Sequence, residues 1–228
     1  MHIMEGVLPV AWCAVWWITA LPFLSLSTSA QIREKFCPKC YVFRTQKENF
    51  CIVLDILQKG HADDPRPVYK REPLVQAIGI EQFKLLELVP KPSAVIQIHE
   101  KLYIGDEERE KIERVKRRIG FEELTPTARV EVPYVVEQIV KEHEDRFVQF
   151  FNTSVPVTPK LHMLHLLPGI GKKLLWEILD ERQRKPFESF ADIAHRIKAM
   201  PHPDRMIINR VLEEIEDPET KYRVFTAR

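Results

Sequence analysis

The chain is 228 residues long and 45% hydrophobic, and its 34 Lys and Arg face 33 Asp and Glu for a formal net charge of +1. That length and apolar content argue against disorder throughout and allow one large or two small domains with real cores. The balanced charge excludes a binder that works through a bulk positive field, so affinity for nucleic acid has to come from a local patch.

Val7 to Leu26 is a charge-free run that includes Trp12, Trp16 and Trp17, and at about 20 residues it meets the length of a bilayer core. Two readings stay open for it. As a spanning helix it would leave the residues after 31 in the cytoplasm, because Glu5 precedes it while Arg33 and Lys35 follow. As a signal peptide it would end at the small residues Thr28-Ser29-Ala30, although no Lys or Arg opens it. The opening Met1-His2-Ile3-Met4-Glu5-Gly6, with Leu8-Pro9 and Leu21-Pro22-Phe23, resembles the start of the membrane subunit of energy-coupling-factor cobalt and nickel transporters. The resemblance implies a metal-holding role for Met1 and His2. It covers residues 1–30 alone, too little for a transport path, and a fused or misjoined reading frame explains the segment better.

Cys13, Cys37, Cys40 and Cys51 all lie in the first quarter and form no spaced disulfide framework, which points to a reducing compartment. Residues 31–48 read as a linker holding Cys37-Pro38-Lys39-Cys40. Two thiolates at that spacing make half of a tetrahedral zinc site, and no second pair completes it. Cys37 and Cys40 are therefore weak metal candidates, and no metal or cofactor is expected.

Residues 49–151 read as a small barrel with flanking helices. Cys51–Leu57, Phe83–Val89 and Ala94–His99 are predicted strands, Leu102–Gly105 closes the β-rich stretch, and Pro90-Lys91-Pro92 blocks a helix between them. Strands this short bury their faces best in a partly closed barrel of oligonucleotide-binding (OB) type. The loop after the first strand carries Arg66, Lys70 and Arg71 around Tyr69, a pattern that can track a phosphate backbone and stack a base. A charged surface loop with local ion pairs has the same composition. Lys91 and Lys101 are weaker candidates.

Asp106–Ile119 is predicted to be a helix, with Asp106, Glu107 and Glu108 in its first turn, basic residues from Arg114 to Arg118 in its last, and an Ile112, Val115, Ile119 stripe. A second helix is expected from Thr125-Pro126 through His143, with Thr as cap and Pro at the first helical position. Phe147–Phe151 is apolar enough to be buried, and residues 152–159 make a linker.

Residues 160–228 read as a tandem helix-hairpin-helix domain. Lys160–Leu166 and Lys172–Arg182 are the expected helices of the first hairpin, joined by Leu167-Pro168-Gly169-Ile170-Gly171. Amides of Gly169, Ile170 and Gly171, with Lys172 and Lys173 at the start of the second helix, form an anion-attracting terminus suited to phosphate. His162 and His165 are read as packing residues. Ser189 and Asp192 form a capping box for a third helix, and Asp204–Ile215 makes a fourth. The spacing of Asp192 from the hairpin suits a DNA glycosylase, but its capping role accounts for it and no catalytic lysine accompanies it.

Leu85-Leu86-Glu87-Leu88-Val89-Pro90-Lys91, Arg66-Pro67, Lys70-Arg71-Glu72-Pro73 and the LPGIGKK hairpin resemble the archaeal family catalogued as domain of unknown function 655. The resemblance covers residues 49–228 and implies a barrel-like domain joined to a helix-hairpin-helix domain, a nucleic-acid-binding role and no established enzymatic activity.

The expected fold is therefore α+β: a small OB-like barrel followed by helices and an all-α helix-hairpin-helix domain, behind an N-terminal hydrophobic helix. The expected function is non-enzymatic binding of nucleic acid, RNA ahead of DNA, in the cytoplasm. The alternative is a membrane-tethered interaction module, anchored through residues 7–26, whose hairpin is structural.

Overall fold

The computed structural model describes residues 47–61 and 65–227. The apolar run 7–26 and the Cys37 and Cys40 pair lie outside the described residues. Among the described residues no helix is long and apolar enough to cross a membrane.

Phe50–Leu57 forms β1. Its run is apolar without alternation because both faces are covered: Cys51 and Val53 enter one hydrophobic cluster, Ile52 and Leu54 another. Strands β2 (Leu74–Gly79), β3 (Leu85–Pro90), β4 (Lys101–Tyr103) and β5 (Ile112–Arg118) complete a curled antiparallel sheet in the order β4-β1-β2-β3-β5. The ladder shifts register between Val53 and Asp55 in β1 and twice along the β3–β5 pair. Such bulges add twist and bend the strands that carry them. One face of the sheet keeps a small core of its own, including Val75, Ala77, Leu86 and Leu88, while Ile78 and Leu85 on the other face join the helices.

The first helix, α1 (Pro126–Glu142), starts where its sequence dictates. Thr125 Oγ1 accepts from the Ala128 amide at 3.1 Å and Pro126 occupies the first turn, where a missing N–H costs nothing. Thr125 Oγ1 also donates to Asp55 Oδ2 at 2.5 Å, which ties the cap to β1. Pro133 sits inside α1 without ending it. The buried face of α1 is Val132, Val135, Val136, Ile139 and Val140, and α2 (Glu144–Thr153) adds Phe147, Val148, Phe150 and Phe151. Two short strands, β6 (Pro156–Thr158) and β7 (Leu161–His162), pair antiparallel. Three helices follow: α3 (Lys172–Arg184), α4 (Phe190–Arg196) and α5 (Pro203–Glu216).

After α5 the chain turns back over the core. Glu214, fully buried, accepts from the amides of Val224, Phe225 and Thr226 at 2.6, 3.0 and 3.0 Å and from Arg210 Nε at 2.8 Å. The Phe225 ring then packs 5.6 Å from Phe147 and 5.1 Å from Phe150.

Several local expectations are overturned. Asp106–Ile119 is not a helix: Ile112–Arg118 is β5, paired with β3 through Leu86 opposite Arg118 and Leu88 opposite Val115. Ile112 and Val115 are spaced for one face of a helix, yet the bulged β3–β5 ladder lets both face the same cluster from a strand. Pairing with the open backbone of β3 outweighs the favourable end charges, which are worth only tenths of a kcal/mol, about 0.3–1 each. Ala94–His99 is a loop, with Val95 exposed, and β4 begins after it. Leu74–Gly79, unassigned from sequence, is the central strand β2. Lys160–Leu166 is the strand β7 followed by a 3-10 turn over Met163–Leu166, where an α-helix was expected.

Candidate nucleic-acid interface

The hairpin loop is built from the core outward. Leu167 and Ile170 are buried and pin its two ends, and the Ile170 amide donates to the Leu167 carbonyl at 3.3 Å. Between them stand Pro168 and Gly169, the latter at φ +88°. Proline followed by a residue of positive φ, closed by that hydrogen bond, is a type II turn, and the second position there demands glycine. Gly171 is different. Its φ is −84°, and a Cβ placed on it would meet no atom within 4 Å, so the protein interior makes no demand for glycine at this point.

Gly171 is the N-cap of α3, and no side chain caps the helix. The start of α3 therefore presents unsatisfied amides together with exposed Lys172 and Lys173. Two cations at the positive end of a helix dipole are mutually unfavourable, by about 0.3–1 kcal/mol each. An anion placed before Gly171 relieves that repulsion while accepting from the amides. The sequence reading changes in one respect. The Ile170 amide is used inside the turn, so the free donors begin at Gly171 and continue into the first turn of α3.

Neither histidine before the hairpin is placed to hold a metal. His162 Nδ1 accepts from the Leu164 amide at 3.1 Å, and His165 Nδ1 accepts from the His162 amide at 3.3 Å. Burial, aided by nearby Arg182, pushes the His162 pKa down to about 4 and keeps the ring a neutral acceptor. Among the described residues no group of His, Cys, Asp and Glu side chains is arranged for metal binding. Asp192 does not stand free either: its amide donates to Ser189 Oγ at 3.0 Å, and its carboxylate accepts from the Glu188 amide and pairs with Arg196 at 3.3 Å.

Arg66, Lys70 and Arg71 lie in the loop between β1 and β2. Arg71 is committed to the loop's own framework, donating to the carbonyls of Arg66 at 2.7 Å and His61 at 3.1 Å. Lys70 is exposed beside the Tyr69 ring, which is itself 82% exposed. Lys91 donates to the Arg109 carbonyl at 2.6 Å, and Lys101 sits over the Phe50 ring at 5.0 Å. Two further features bear on this surface. The basic run Arg114–Arg118 lies along a sheet edge, with Lys116 and Arg117 each 3.1 Å from the buried Glu87 carboxylate. Trp176, one turn into α3 from the two lysines, is exposed and was missed from sequence.

Comparison with known proteins gives one consistent match. Residues 47–227 match the family described as protein of unknown function (DUF655). The uncharacterized protein MJ0038 of Methanocaldococcus jannaschii is 47% identical over 179 residues, which is 78% of this chain and 79% of that one. The crystal structure of Af1531 from Archaeoglobus fulgidus, of the same family, aligns with a TM-score of 0.72 at 45% identity, covering 79% of this chain and all of that one. A separate, short similarity links this chain to the cobalt transport protein CbiM of Acetohalobium arabaticum, 65% identical over 26 residues, 11% of this chain and 10% of that protein.

Proposed function

The chain belongs to the DUF655 family, and from that premise and the hairpin geometry we propose that it is a non-enzymatic nucleic-acid-binding protein acting on RNA. The observation that carries the reading is the start of α3: uncapped amides and two exposed lysines, held in place by a type II turn locked to the core. A phosphate diester is the anion whose charge and acceptor oxygens fit such a terminus. Because phosphate contacts position a protein without reading bases, this grip is sequence-blind.

The sheet supports a second contact. Its order, β4-β1-β2-β3-β5, leaves β4 and β5 as the two edges; an OB barrel opened between those strands has the same pairing order, and in that fold the loop joining the first two strands commonly touches oligonucleotides. In this chain that loop carries Arg66, Tyr69, Lys70 and Arg71. The exposed Tyr69 ring offers a stacking face for an unpaired base.

The test is filter binding of the full chain to a single-stranded RNA, an RNA duplex and a DNA duplex over a range of salt. Changing Lys172 and Lys173 together to glutamate is expected to weaken binding by at least about tenfold and to flatten the salt dependence by about one unit of slope per lost phosphate contact. Unchanged affinity and slope in that variant would show that the hairpin only packs.

A further inference from the structure

Strand β1 ends at Leu57 and the chain reverses at once. The Gly60 amide donates to the Leu57 carbonyl at 3.2 Å, with Gly60 at φ +65°. A side chain is strained in that left-handed conformation, and its Cβ would stand 3.1 Å from the Glu72 carbonyl oxygen. The tight turn brings the next residue, His61, back toward β3. There its Nε2 meets the Glu87 carboxylate, and Arg71 donates to its carbonyl oxygen at 3.1 Å. Ring and backbone are thus both held in place.

The hydrogen bonds give the ring a direction. Burial works to raise the Glu87 pKa, but hydrogen bonds from His61, Lys116 and Arg117 outweigh it and hold the group below the ordinary glutamate range. An ionised carboxylate only accepts, so the proton of this contact sits on His61 Nε2. Lys116 and Arg117 take the other carboxylate oxygen, each at 3.1 Å. In the neutral ring a proton on Nε2 leaves Nδ1 with a bare lone pair. Nδ1 finds no partner among the described residues, and with the side chain 29% exposed it faces solvent.

A fixed acceptor therefore stands in the same loop as exposed Tyr69 and Lys70. It cannot face a phosphate diester, which carries no hydrogen to donate. On a nucleic acid the donors are the base N–H groups and the ribose 2′-hydroxyl. Base donors differ from one nucleotide to the next, and neither phosphate contacts nor a stacked ring selects among bases. The hydroxyl recurs at every ribonucleotide and is absent from DNA.

We propose that His61 Nδ1 accepts a hydrogen bond from a ribose 2′-hydroxyl, so that the β1–β2 loop tells RNA from DNA, with Glu87 as the positioning residue that fixes the ring. This rests on the nucleic-acid reading above and assigns that reading its sugar specificity.

The experiment is fluorescence anisotropy of the full chain with three single-stranded oligonucleotides of one sequence: RNA, DNA and 2′-O-methyl RNA. The methylated chain keeps the sugar oxygen but loses the donor. RNA is expected to bind more tightly than either of the others by about three- to tenfold, the size of one neutral hydrogen bond. In His61→Ala, RNA should fall to the level of DNA, while DNA and 2′-O-methyl RNA bind as before and so report an intact fold. The Lys172 and Lys173 double glutamate variant should weaken all three and leave their ratios unchanged. Equal affinity of the unaltered chain for the three, or an RNA preference that survives His61→Ala, overturns this proposal and leaves the hairpin reading standing. Equal weakening of RNA and DNA in His61→Ala also overturns it, since the ring would then meet phosphate as a cation. Failure to bind any of the three overturns both readings.

Discussion

Glu87 shows how a buried charge is kept in this fold. Its side chain is wholly shielded from solvent, yet His61, Lys116 at 3.1 Å and Arg117 at 3.1 Å all point at its carboxylate. Burial alone would raise its pKa, but the three hydrogen bonds and the charge of Lys116 outweigh it and hold the group below the ordinary glutamate range. A carboxylate whose pKa is lowered in the folded state stabilises fully above its unfolded value of about 4.3 and loses that contribution as pH falls through the lower folded value. Urea unfolding of Glu87→Gln is therefore expected to show a loss of about 1–3 kcal/mol at neutral pH, the cost of weakening charge-assisted hydrogen bonds to partly exposed Lys116, Arg117 and His61. The deficit should shrink on acidification below about pH 4, where the unaltered protein loses the same charge. Glu87 lies in an apolar run that reads from sequence as a strand. Nothing local announces that its partners come from the β1–β2 loop and from β5.

Among the elements, α1 and β5 make opposite cases. Thr125-Pro126 specifies a helix start by purely local chemistry, a side-chain acceptor followed by a residue that lacks the N–H the helix cannot use. Thr125→Ala is expected to cost about 1–2 kcal/mol, read as a lowered denaturant midpoint with unchanged slope. Thr125→Ser, which keeps the hydroxyl for Ala128 and Asp55, should recover most of it. Strand β5 could not be read in this way. Its Ile and Val spacing and its graded charges satisfy a helix as well as a bulged strand, and only the exposed hydrogen-bonding edge of β3 decides between them. The same holds for the stretch before the hairpin. Pairing with β6 converts an apolar, helix-like run into β7 and a 3-10 turn, whereas the turn that follows was legible because Pro168 and Gly169 impose it locally.

At the scale of the whole molecule, one hydrophobic cluster includes Ile52 and Leu85 from the sheet, Val132 and Phe147 from α1 and α2, Leu175 and Ile207 from the C-terminal helices, and Phe225 from the tail. Interlocked in this way, the described residues should unfold together. Thermal transitions followed by far-ultraviolet and near-ultraviolet dichroism are expected to coincide, and Phe225→Ala should lower both, by about 3–5 kcal/mol for an aromatic ring removed from a core. Separate transitions would mean that residues 49–151 and 160–228 fold as independent bodies. The sequence by itself determined the features that depend on neighbours along the chain: the α1 cap, the turn at Pro168-Gly169, the burial of Phe147–Phe151 and the family. The tertiary structure alone decided β2, β5 and the partners of Glu87. Each of those depends on which backbone edge or side chain arrives from a distant segment, and no local pattern records that.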